Sequence, residues 1–102
     1  MTITVLAMGT IAEDQDASLT HYLDVTTPLL ERANASITCM FDLNEAVVGQ
    51  RPAKRMILVE YPDRAAVDMV FESAEYKALL PTRNIAFSSY DISIATQAEG
   101  TA

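Results

Sequence analysis

The stretch KRMILVEYPD, residues 54–63, decides how this chain folds. Residues 54–61 read as a strand, the most apolar of four that the sequence offers, and Pro62-Asp63 ends it and opens a helix. That helix carries Val67, Val70, Phe71 and Ala74 on one stripe. A further short helical turn places Tyr76, Leu79 and Leu80 at compatible spacing, and Pro81 is expected to end or bend it. Residues 87–96 (FSSYDISIAT) alternate as a strand, and the tail at 98–102 is expected to fray beyond a single domain at 1–97.

Upstream, Asn44 to Pro52 contains Gly49 and Pro52 and reads as a long hairpin connection. It follows ASITCMFDL, residues 35–43, a second alternating segment. Before that, Leu19, Tyr22, Leu23, Leu29, Leu30 and Ala33 recur at helical spacing from Ser18 onward. Glu13, Asp14 and Asp16 stand where a helix N-terminus favours negative charge, and Pro28 predicts a kink. Residues 2–11 (TITVLAMGTI) alternate and are rich in β-branched types, so they form the first strand. The order is β-α-β-β-α-β. Right-handed crossovers then place two helices on one face of a four-stranded antiparallel sheet, an α+β sandwich of the ferredoxin-like kind.

This arrangement leaves the other sheet face without helices. Uninterrupted alternation assigns Ile3, Val5, Ala7, Ile37, Cys39, Phe41, Ile57, Val59, Tyr61, Tyr90, Ile92 and Ile94 to the helix side. It assigns Thr4, Leu6, Met8, Thr38, Met40, Asp42, Met56, Leu58, Glu60, Ser89, Asp91 and Ser93 to the open side. Three methionines and two leucines among hydroxyls and carboxylates form an apolar patch, and a second copy packed about a two-fold axis is the expected cover.

With 102 residues the chain has enough length for one core. Fourteen acidic side chains against seven basic ones give a net charge of −7, which argues against nucleic acid and against an anionic membrane surface. The same field argues mildly against anionic substrates. A single cysteine, Cys39, rules out an internal disulfide and suits a reducing cytoplasm. No apolar run reaches the length of about 18 residues that a membrane span requires. The sequence contains no dinucleotide, P-loop, zinc-protease or EF-hand motif, and no cofactor or metal is implied.

Glu60 is the most suggestive candidate, since it interrupts a central apolar strand and points to the open face. Asp42 and Asp91 are read onto that same face, and carboxylates gathered in a partly dry interior acquire raised pKa values suited to acid/base work. Structural ion pairs are the plain alternative. Tyr22 and Tyr76 lie on inward stripes, where a phenol donates to a ligand or simply packs with its hydroxyl at a polar edge. His21, the only histidine, lies off the apolar stripe and is expected in solvent. The methionines read as interface or pocket filling, and Cys39 as a buried small hydrophobe.

The chain resembles the dimeric α/β-barrel superfamily and, more narrowly, the small bacterial family catalogued as domain of unknown function 1330. The likeness runs from Val47-Val48-Gly49 through Pro52, Arg55 and Leu58-Val59-Glu60-Tyr61-Pro62-Asp63. It continues through Ala65-Ala66 and Phe71-Glu72-Ser73-Ala74-Glu75-Tyr76 to Arg83. The family's aromatic pair before the serine is here Val70-Phe71, and its Gly-Gly before the second strand is Ala35-Ser36. The resemblance implies a βαββαβ protomer and a dimer sharing a barrel-like interior. Arg83, which matches the family's arginine, is a candidate clamp for a substrate carboxylate, a partner for Glu60 or Glu75, or a cap that donates to the free carbonyls of a helix end. Three functions follow: a cofactor-independent enzyme on a small organic molecule, with Glu60, Arg83 and Asp91 as catalytic candidates; a non-catalytic small-ligand binder; or a stress-linked accessory dimer whose open face serves assembly. Tyr22, Asp42 and Tyr76 are the candidate pocket residues.

Overall fold

Alternation and proline placement carry through to the elements observed. The computed structural model describes residues 2–96, and the expected fraying of 98–102 lies outside them. Strand β1 (Ile3–Ile11) leads into α1 (Asp16–Arg32), then β2 (Ser36–Asp42) and β3 (Arg55–Tyr61). Three short helices follow, α2 (Arg64–Phe71), α3 (Ala74–Ala78) and α4 (Leu80–Ala86), before β4 (Phe87–Ala95). Where two helices and a further short helical turn were expected, the helical layer thus has one long helix and three short ones. Asp63 starts α2 by accepting from the Ala66 N–H at 2.8 Å, and Ser73 starts α3 by accepting from the Tyr76 N–H at 3.1 Å. Helix α3 stops at Ala78 with Leu79 as its C-cap, two residues before Pro81, and Pro81 also opens α4 from its first turn, where a residue has no intrahelical acceptor for the N–H that proline lacks. Helix α1 runs through Pro28 to Arg32.

The sheet order is β2-β3-β1-β4, with every neighbouring pair antiparallel. It is an open sheet with β2 and β4 at its edges, so one protomer closes no barrel. The core lies between the sheet and the helices. Val5, Tyr61 and Val70 are its most deeply buried large side chains, and Tyr22, Leu29 and Val59 pack around them.

Two β-bulges alter which side chains share a face. On β2, Ile37 pairs with Val59 but Cys39 pairs with Leu58, so Thr38 is an extra residue and the alternation reverses after it. On β4, Tyr90 pairs with Gly9 and Ser89 with Thr10, yet Phe87 pairs with Ile11, so Ser88 is extra there. The first bulge corrects the uninterrupted reading of β2. Met40 and Asp42 share the helix side with their partners Ile57 and Arg55, whereas Cys39 and Phe41 join Leu58 and Met56 on the open side. Cys39 is half-exposed there rather than buried. The open face therefore centres on Leu6, Met8, Met56, Leu58, Cys39 and Phe41. The second bulge turns Phe87 to the helix side beside Tyr90.

Candidate functional site

Three tyrosines from three different elements meet between helices and sheet. On α1, Tyr22, Thr26 and Leu29 form the buried stripe, and the Thr26 hydroxyl donates to the Tyr22 carbonyl at 2.9 Å. Tyr76 is buried on α3, fixed by the Ser73 cap. Tyr90 lies on β4 opposite Gly9, where the missing side chain makes room for aromatic rings. A Cβ at Gly9 would come within 3.3 Å of the Tyr90 ring and 3.4 Å of Phe87. Phe87 stands edge-on to Tyr22 and lies 4.4 Å from the Tyr90 ring centre, and Phe71 packs edge-on against Tyr76 at 5.0 Å.

The hydroxyls form a directed chain. Tyr22 donates to Tyr90 at 3.3 Å and contacts the Tyr76 hydroxyl at 3.1 Å. A phenol carries one proton, and Tyr22 spends its own on Tyr90, so Tyr76 is the donor to Tyr22. Arg83, half-buried in α4, donates from Nη1 to the Tyr76 oxygen at 3.3 Å. The sequence of donors is Arg83 to Tyr76 to Tyr22 to Tyr90, and among the described residues the Tyr90 proton has no acceptor. The guanidinium also lies 6.0 Å and 5.8 Å from the ring centres of Tyr76 and Tyr90, at the limit of cation–π range.

Burial raises the Tyr22 phenol pKa, reinforced by neighbouring Tyr90 and by the hydrogen bond that Tyr22 donates to it. Burial likewise raises Tyr90 and pushes Tyr61 up to about 12. These phenols remain protonated at neutral pH and act as donors rather than bases. A cavity of about 310 Å³ opens beside Arg83 and Tyr90, walled by Val5, Phe71 and Ile92. A second, of about 110 Å³, reaches Tyr22 and Tyr76. Neither cavity has a carboxylate or an imidazole among its lining residues. The arrangement offers donors and a positive charge in apolar surroundings, so its chemical complement is an acceptor carrying negative charge.

The structure brings Tyr22, Tyr76 and Arg83 together. It does not join the carboxylates to them. Glu60 is exposed on the open face between Thr4 and Ser36, and Asp91 is exposed on that face opposite Met8. Four residues along β1 and two strand spacings separate them by roughly 16 Å. Asp42, turned away by the Thr38 bulge, pairs with Arg55 at 2.9 Å. The expected cluster of three acids is therefore absent. Its premise was unbroken alternation, and even on one face Glu60 and Asp91 stand too far apart to repel strongly. Glu75 pairs with Arg32 at 2.9 Å, which lowers its pKa, and Arg83 is in no ion pair among the described residues. His21 is exposed, as expected. Tyr90 is the site residue that sequence reasoning missed. It was placed on the helix side, but nothing in the alternation showed that its hydroxyl would meet that of Tyr22. Among the described residues no group of three or more His, Cys, Asp or Glu could hold a metal ion, and no helix is long and apolar enough to cross a membrane.

The sequence profile of the family described as Domain of unknown function (DUF1330) matches residues 4–98. No curated protein matches the chain. Among solved structures it is similar to a protein of unknown function from Rhodopseudomonas palustris, RPA0582, with 15% identity and a TM-score of 0.76. That match covers 96% of this chain and 83% of the other. It is also similar to SnoaB, a cofactor-independent oxygenase from Streptomyces nogalater, at 11% identity and a TM-score of 0.63, covering 98% and 95% of the two chains. A dimeric protein of unknown function and ferredoxin-like fold from Bacteroides fragilis matches at 10% identity and a TM-score of 0.56, covering 92% and 94%. At these identities the likeness is one of fold.

Proposed function

This chain belongs to the DUF1330 family, a domain of unknown function, and on that footing we propose that it holds a small organic acid in the seam between helices and sheet, with the acid's oxygens on Arg83 and the Tyr90 hydroxyl. The observation that carries this reading is Arg83 itself. A half-buried guanidinium without a carboxylate is costly to leave unanswered, and among the described residues Arg83 has none and heads a chain of phenols whose last proton has no acceptor. The net charge of −7 opposes anions at a distance, but that field is screened beyond about 8–10 Å, whereas Arg83 acts at contact.

The same donors favour a second reading, cofactor-independent turnover of that small molecule. Donors fixed in an apolar site stabilise negative charge that develops on a carbonyl or phenolic oxygen. Because the two cavities beside Arg83 and the phenols offer no base, a proton to be removed must leave through the substrate's own groups or through a group from outside the protomer. Glu60 and Asp91 belong, in this account, to an open face covered by a second copy, since Leu6, Met8, Met56 and Leu58 form an apolar surface that the helices do not reach. Titration calorimetry with benzoate and hexanoate tests the acid site. Saturable binding with one acid per chain is expected; an absence of heat and of thermal stabilisation by either acid contradicts it.

A further inference from the structure

We infer that the seam takes a straight, amphipathic acid, its carboxylate at Arg83 and its hydrocarbon tail running along β1 into a third cavity between Met40 and Phe87. This rests on the acid-binding reading above and specifies the rest of the ligand. The third cavity, of about 210 Å³, lies at the other end of the seam. It shares Tyr22, Leu23 and Ile37 with the middle cavity, which in turn shares Val5, Phe71 and Ile92 with the cavity at Arg83. Tyr90 borders all three. From Val5 in the first cavity to Ile11 in the third is six residues of β1, about 20 Å of extended chain. That length suits a chain better than a single ring.

Both β-bulges build this far cavity. Thr38 and Ser88, the two inserted residues, each donate a side-chain hydroxyl to the opposite strand, to the Leu58 carbonyl at 3.2 Å and the Thr10 carbonyl at 3.3 Å. Each insertion turns the next inward side chain, Met40 in one case and Phe87 in the other, toward the same space. Bulges that re-aim side chains are common beside binding sites. Two of them converging on one cavity make a built wall.

Charge gives the ligand its direction. Each end of the seam has one arginine. Arg83 has no carboxylate partner among the described residues, whereas Arg55 at the far end is already held by Asp42 at 2.9 Å. The acid group therefore belongs at Arg83 and the uncharged tail at Met40. Around the far opening Leu23, Ile37 and Met40 are each about half exposed, at 48%, 53% and 52%, so the tail emerges among apolar side chains that otherwise face water.

Calorimetry with the sodium salts of straight-chain saturated acids, from butanoate to dodecanoate and below their micelle concentrations, tests the inference. Affinity is expected to rise about fourfold per added methylene until the seam is filled, then level off. Met40→Trp, which fills the far cavity, should bring that levelling to a shorter acid. Met40→Ala, which cannot clash, should move it to a longer one. Thermal melting confirms that each variant is folded. A flat series, or a plateau at the same chain length in all three proteins, overturns the inference. If short acids bind and Arg83→Met abolishes their binding while the series is flat, only the tail assignment fails. If no acid of any length binds, the acid site itself fails.

Discussion

Arg83→Met keeps most of the apolar stem beneath the guanidinium and removes its charge. In the free protein the lost interactions are one hydrogen bond to Tyr76 at 3.3 Å and two cation–π contacts at 6.0 and 5.8 Å. Together they are worth about 1–3 kcal/mol. Against this, the substitution relieves the desolvation of a half-buried cation that has no carboxylate partner among the described residues, a term of similar size. Net stability should change by no more than about 1 kcal/mol in either direction. Binding should behave differently. A charge-assisted hydrogen bond to a carboxylate contributes about 1.5–3 kcal/mol, so acid affinity should fall roughly 10- to 150-fold. Denaturant unfolding and calorimetry with hexanoate measure the two effects on one preparation. A loss of more than about 2 kcal/mol in stability, with hexanoate affinity unchanged, would show that Arg83 serves the fold and refute the functional reasoning.

Tyr90→Phe removes the acceptor for the Tyr22 proton and the terminal donor of the chain, and should cost about 1 kcal/mol of stability and several-fold in hexanoate affinity; unchanged affinity in calorimetry contradicts its role. Alkaline pH should destabilise the fold, because burial raises Tyr22, Tyr61 and Tyr90 above the phenol value of 10.0, with Tyr61 at about 12. The advantage of these neutral phenols is fully present below pH ~10 and is lost as pH rises toward and through the folded values. Melting temperature that holds level from neutral pH to well above that range, alongside tyrosinate absorbance, would contradict the buried phenol cluster. Leu58→Lys places a charge at the centre of the open face and should convert a dimer to a monomer in size-exclusion chromatography with light scattering. A monomeric parent protein at micromolar concentration removes the dimer from the account.

Much of the fold was legible because its signals are local. The apolar run at 54–61 fixed a strand that proves central, and Pro62-Asp63 supplied both the stop and the cap. Helical stripes put Tyr22 and Tyr76 inside, where they are found. The errors came from parity and from pairing. One extra residue at Thr38 reverses every side chain after it on β2, and a pattern such as ITCMFD alternates equally well in either register. That single insertion moved Met40 from the open face to the far cavity and took Asp42 away from Glu60. Pro81 signals the end of α3 but not the start of α4, because a proline ends one helix as readily as it begins another. The candidate site needs four elements, α1, α3, α4 and β4, brought together by tertiary packing. Local spacing could place each aromatic inside but could not show that three hydroxyls meet, nor that Glu75 would turn to Arg32 and leave Arg83 in no ion pair among the described residues.

A crystal structure of the protein grown with octanoate would locate the acid in the seam. The carboxylate should lie within hydrogen-bond distance of the Arg83 guanidinium and the Tyr90 hydroxyl, with the tail following β1 toward Met40. Octanoate bound instead at surface cations such as Arg51 or Lys54, with the seam filled by rearranged side chains, would contradict the account.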